Sequence, residues 1–130
     1  MKKVYRICKN NIYCIPVIIF VGSYEECEEY RKRRFKLQPK KQRFYAGYSD
    51  FLEDTKTGEF LGFIWMPRYT HTISNMGTLS HECLHIAMRI LEVCNIQITF
   101  DNHEALAYLH GHIFEEALAS ILHSTSKTKA

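Results

Sequence analysis

The densest chemistry in this sequence is His81-Glu82-Cys83-Leu84-His85. Two histidines four residues apart lie one turn above each other on a helix. Both imidazoles therefore leave the same face, at a separation that one metal ion bridges. Glu82 is turned by about 100° from His81, as 3.6 residues per turn dictate, so it reaches a water on that metal without having to ligate it. The chemistry this permits is metal-assisted hydrolysis: the ion acidifies its water, and the carboxylate takes the proton and hands it to the leaving amine. Cys83, about 200° from His81, turns toward the core and reads as a small buried apolar residue, not a ligand.

Catalytic zinc takes three protein ligands and keeps a fourth position open. Glu104 suits the third place. It lies nineteen residues after His85, in the first turn of the next predicted helix. An antiparallel return of that helix would set its carboxylate over the two imidazoles, and small Ala105 and Ala107 would let the helices approach closely. His103 is the rival ligand, although its side chain leaves the helix about 100° away and better suits a cap or the surface. Tyr108, one turn beyond Glu104 on the same face, either supports a ligand or polarises substrate, or else packs in the core. His71, in Tyr69-Thr70-His71-Thr72, either donates to the oxyanion of a tetrahedral intermediate or is a loop histidine with no such role. His110 and His112 cannot both share the Glu104 face, and neither receives a role.

Taken together, Thr78-Leu79-Ser80-His81-Glu82-Cys83-Leu84-His85 followed by Glu104-Ala105-Leu106-Ala107-Tyr108 resembles the gluzincin branch of zinc metallopeptidases. The likeness is to its very small single-domain members and to the short peptidases of phages and mobile elements. The match covers about thirty residues. The resemblance implies a Zn2+ ion on His81, His85 and Glu104, with Glu82 as the general base that activates water to hydrolyse a peptide bond. It further implies a short sheet ahead of the metal helix, whose edge strand holds an extended peptide or protein substrate. The aromatic hairpin through Trp65 occupies that place in the chain. Two departures stand out. Larger gluzincins often carry an acid four residues after the glutamate ligand, where this chain has Tyr108. The chain is also too short for the second lobe that closes their cleft, so either specificity is loose or a partner supplies the missing wall.

The elements that must position these residues read as α+β: a zincin-like minimal domain with a small, mostly antiparallel sheet, a connecting helix and two C-terminal metal-binding helices. Lys3 to Cys8 and Ile12 to Val21 read as strands around a Lys9-Asn10-Asn11 turn, with Pro16 marking an edge position or a bulge. Ser23 opens a helix with Glu26 three residues on, a capping box, and the helix runs from acidic to basic along its dipole. Phe44 to Leu52 and Phe60 to Trp65 flank Asp54-Thr55-Lys56-Thr57-Gly58 and predict a second hairpin, ended by Pro67. Helices follow over about 75–93, capped by Ser74 or Asn75, and about 102–123, capped by Asp101 or Asn102. Ile96 to Phe100 between them is a brief strand or an extended linker.

At 130 residues and 15.3 kDa the chain has room for one domain, 1–123, followed by a polar tail, 124–130, expected to fray. A hydrophobic share of 46% is enough for a real core and sets disorder aside. No apolar run reaches the roughly 20 residues of a membrane helix, and the N-terminus lacks the pattern of a secretory signal. The expected location is cytoplasmic. Five cysteines (Cys8, Cys14, Cys27, Cys83, Cys94), without a CxxC, agree with reduced thiols, and Cys8 and Cys14 read as a reduced pair facing each other across the first hairpin. Eight of the 17 bases fall between Arg31 and Arg43, which leaves nine bases against 14 acids elsewhere. This segment reads first as a solvated helix end. It also supports a second function class: a weakly active or inactive zincin-like binding protein that contacts a host protein or nucleic acid through Arg31–Arg43.

Overall fold

Two strands without a polar side chain decide the architecture. Val17–Val21 (β2) and Phe60–Met66 (β4) are apolar at every position, the pattern of strands covered on both faces. The structure, a computed structural model, describes residues 2–8, 13, 15–37 and 46–129, the last five of these by their backbone alone. In it β2 and β4 lie parallel at the centre of a four-stranded sheet, with Ile19 opposite Ile64 and Phe20 opposite Trp65. Lys3–Ile7 (β1) pairs antiparallel with the outer side of β2, and Tyr48–Glu53 (β3) pairs antiparallel with β4. The sheet is thus mixed, with the antiparallel pairings outside, and the α+β class is as expected. The Lys9-Asn10-Asn11 turn and Cys14 lie outside the described residues.

Period-two alternation sorts the strands onto two cores. Val17, Ile19, Ile64 and Met66 face Ile73–Val93 (α2) and Glu104–Lys129 (α3). Ile18, Phe20, Phe63 and Trp65 face Tyr24–Phe35 (α1), where Cys27 and Phe35 are buried among the rings. Pro16 corrects an expectation, because β2 is an interior strand. The proline sits just ahead of it, where its missing N–H costs no ladder bond, and its carbonyl accepts from Gly62 N at 3.0 Å.

The capping box on α1 forms in full: Ser23 Oγ accepts from Glu26 N at 3.1 Å, and Glu26 Oε1 accepts from Ser23 N at 3.0 Å. The basic end of this helix is turned inward in part. Arg31 is 3% exposed, lies against the rings of Tyr48 and Phe63, and meets Asp50 at 3.1 Å. Arg34 meets buried Asp54 at 2.8 Å. Two of the bases in the charged segment therefore clamp α1 to the sheet, while Lys40, Lys41 and Arg43 lie outside the described residues.

Asp54 organises the turn between β3 and β4. Its Oδ1 accepts from Lys56 N at 2.9 Å and its carbonyl accepts from Gly58 N at 2.7 Å. The Arg34 hydrogen bond, followed by that of Lys56 N, holds the Asp54 carboxyl below the usual carboxylate range. A lowered folded-state value means stability present above the unfolded value, near ~4, and lost as pH falls through the lower folded value. Asp54→Asn is accordingly expected to lower the melting temperature at pH 7, with the gap to the parent narrowing below pH ~4. Thermal melts across pH check this, and a gap that widens toward acid would contradict it.

The two C-terminal helices begin at other residues than the sequence suggests. Thr72, not Ser74 or Asn75, caps α2, because its Oγ1 accepts from Asn75 N at 3.1 Å. The Asn75 side chain is engaged elsewhere, accepting from Thr70 N at 2.9 Å. α3 starts at Glu104, with Ala107 N bonded to His103 O, because the Asn102 amide is spent on Gln97 O. It continues beyond 123 to Lys129. Residues 96–99 form no strand and link the two helices. No helix among the described residues is long and apolar enough to cross a membrane.

Candidate metal centre

The buried face of α2 (Leu79, Cys83, Ile86, Ala87, Ile90) fixes the helix on the sheet. The spacing of His81 and His85 then turns both imidazoles outward, away from that face. Their Nε2 atoms stand 3.1 Å apart, with the rings edge-on at 4.7 Å between centroids. Two ligands of a tetrahedral zinc, each ~2.0–2.1 Å from the ion, stand ~3.3 Å apart. The pair therefore fits one ion. Without an ion the same approach is a hydrogen bond in which one Nε2–H donates to the other ring.

Glu82 joins them. Its carboxylate and the two imidazole nitrogens all lie within 4.8 Å of one another. The residue is 7% exposed, and no described residue hydrogen-bonds its carboxylate. Cys83 behaves as the sequence predicts: it is fully buried, and burial, seconded by the Glu82 charge, pushes its thiol up to about 12. A thiol so placed is inert at neutral pH.

The three residues open onto a groove of about 1540 Å³. Residues 46–51, the start of β3 and the turn before it, form one wall. β3 is an edge strand: among the described residues it pairs only with β4, so its outer side presents backbone donors and acceptors. The other wall follows α2 from Ile73 to Glu92 and ends on the linker Asn95–Ile98. Sequence reasoning missed this linker as part of the site. The alternation of Ile96 and Ile98 is the signal that could have found it.

Other predicted site residues stand elsewhere. Glu104 is the exposed first residue of α3, with Oε1 3.9 Å from His103 Nδ1, and lies outside the His81-Glu82-His85 group. Tyr108 is 76% exposed, so its ring is not core. His71 has left-handed backbone (φ 55°), and its Nδ1 is 3.1 Å from the Tyr69 hydroxyl. None of these three lines the groove. His103 is exposed beside Glu104. His110 bridges α3 to α2, its Nε2 3.0 Å from the carbonyl of Ser80, the residue before His81. Compared with protein-family models, curated proteins and solved structures, the chain matches none of them.

Proposed function

We propose that the protein is a zinc-dependent peptidase of zincin-like build, with His81 and His85 as ligands, Glu104 as third ligand and Glu82 as general base. The observation that carries this reading is the 3.1 Å approach of the two Nε2 atoms beside the Glu82 carboxylate, along a groove with an open sheet edge. Zinc held there would supply a Lewis acid and a water of lowered pKa. Glu82, which lines the groove and whose carboxylate no described residue hydrogen-bonds, would be the group that takes a proton from water there and returns it to the departing amine. The outer edge of β3 accepts an extended peptide as an added strand, which aligns the chain along α2. Glu104 would complete the ligand set only if its exposed side chain turned inward from the start of α3. Tyr108 and His71 act on substrate only through a comparable movement, since both lie off the groove in this structure.

Metal analysis of the purified chain tests the ligand set. His81→Ala and Glu104→Ala are each expected to remove one equivalent of zinc while circular dichroism shows the fold retained. Loss in the first with retention in the second would assign the third ligand to another residue. Retention in both would end the reading. The binding-protein alternative, acting on a host protein or nucleic acid, draws less support, because Arg31 and Arg34 are committed to Asp50 and Asp54.

A further inference from the structure

We propose a second metal site, on the opposite margin of the sheet, in which Cys8, His112 and Glu116 hold one borderline-soft divalent cation of the zinc class. Cys8 follows β1 and is 2% exposed, while His112 and Glu116 lie one turn apart on α3. One donor atom from each, the Cys8 thiol, a His112 ring nitrogen and a Glu116 carboxylate oxygen, lies within 4.8 Å of the other two.

Several features of the cluster point to a cation. His112 Nε2 is 3.7 Å from Glu116 Oε1, against the ~3.3 Å that separates nitrogen and oxygen ligands of a tetrahedral zinc. Glu116 divides its work: Oε2 accepts from the Cys8 backbone N–H at 2.6 Å and fixes the carboxylate, which leaves Oε1 turned to the imidazole. Cys8 itself has φ 61°, the left-handed region that favours glycine, so its thiol is presented by an unusual backbone. A helical His–Glu pair needs no thiol beside it. Thiolate, imidazole and carboxylate together form a donor set suited to zinc and its neighbours, and half-exposed His112 leaves a wet side for entry and a fourth ligand.

This site would act on the fold and not on a substrate. It would tie the strand at the start of the sheet to the last helix, across 108 positions of sequence. An ion bound only by the folded chain stabilises it by mass action. The inference stands apart from the peptidase reading, since it shares no residue with the His81 centre.

Cobalt(II) titration of the full, reduced chain tests it. The His81 centre contains no thiol among its ligands, so a thiolate-to-cobalt charge-transfer band in the near ultraviolet reports the second site alone. The band is expected in the parent and unchanged in His81→Ala. His112→Ala, and Glu116→Gln, which keeps an oxygen for the Cys8 N–H, should each weaken cobalt binding at this band at least ~10-fold. Zinc should raise the melting temperature of His81→Ala and leave that of the His81→Ala/His112→Ala double variant unmoved. A parent without the band, or a band of unchanged affinity in His112→Ala, would overturn the site and leave the His81 centre untouched.

Discussion

Glu82→Gln is expected to reduce catalysed peptide hydrolysis by about 10²–10⁴-fold while the zinc content stays that of the parent. The substitution keeps the volume and planar shape of the side chain, so packing beside fully buried Cys83 and Leu79 is preserved. It also leaves the two Nε2 atoms, 3.1 Å apart, unchanged, so the proposed ion site is kept. What it removes is the proton acceptor. The other carboxylates that line the groove, Asp50 and Glu92, are paired with Arg31 and Arg89, and none of His71, Glu104 and Tyr108 lines it. If the proposed peptide binds on the β3 edge and the groove walls, the change should fall on kcat, with the apparent affinity for substrate nearly unmoved. The measurement is steady-state cleavage of an extended peptide library, with metal content determined on the same samples. Cleavage that survives the substitution would remove Glu82 from the mechanism. Cleavage lost together with zinc would make it a ligand and not a base.

Local relationships were legible in the sequence and relative placements were not. The His81–His85 geometry follows from four-residue spacing on any helix, and the Ser23–Glu26 box from contacts within one turn, so both could be read before any fold was known. The cap of α2 shows where such reading fails. Thr70, Thr72, Ser74 and Asn75 all compete for the role, and the contest is decided by Asn75 accepting from Thr70, which leaves Thr72 to cap. The parallel pairing of β2 with β4 depends on which strand enters the centre of the sheet. Its trace in the sequence is the unbroken apolar run of Val17–Val21, which fits a strand covered twice better than the edge strand that Pro16 suggested. Glu104 was legible as a residue type at a spacing. Its position relative to His81 and His85 depends on how α3 packs on α2 and on the rotamer of an exposed side chain, and sequence specifies neither. Cys8, His112 and Glu116 lie furthest from local reading: only the one-turn spacing of the last two is visible without the fold.

Gly62→Val is expected to destabilise the protein by about 2–3 kcal/mol, a fall in melting temperature on the order of 10 °C for a domain of this size. Gly62 lies in β4 opposite Val17, on the face that α2 covers. A Cβ there would meet Ile86 Cγ2 at 2.8 Å and Ile86 Cδ1 at 3.1 Å, with Val17 Cγ2 at 3.4 Å behind. Ile86 is 1% exposed and β-branched, so it cannot rotate away into solvent. Opposing terms exist: a valine suits a strand better than glycine, by up to ~1 kcal/mol, and spares the entropy of ordering a glycine. They fall short, because the two further carbons of valine deepen an overlap that begins at Cβ. The only relief is to lift α2 from the sheet, and Ile86 adjoins His85 on that helix. The variant should therefore bind zinc at the His81 centre more weakly as well as melt earlier. Adding Ile86→Ala supplies the missing space, so the double variant is expected to be more stable than the sum of the single losses predicts, by roughly 0.5–3 kcal/mol. Thermal or denaturant unfolding of the four proteins measures this coupling. A Gly62→Val chain that melts at or above the parent would mean that contact between Ile86 and β4 does not set how closely α2 sits on the sheet.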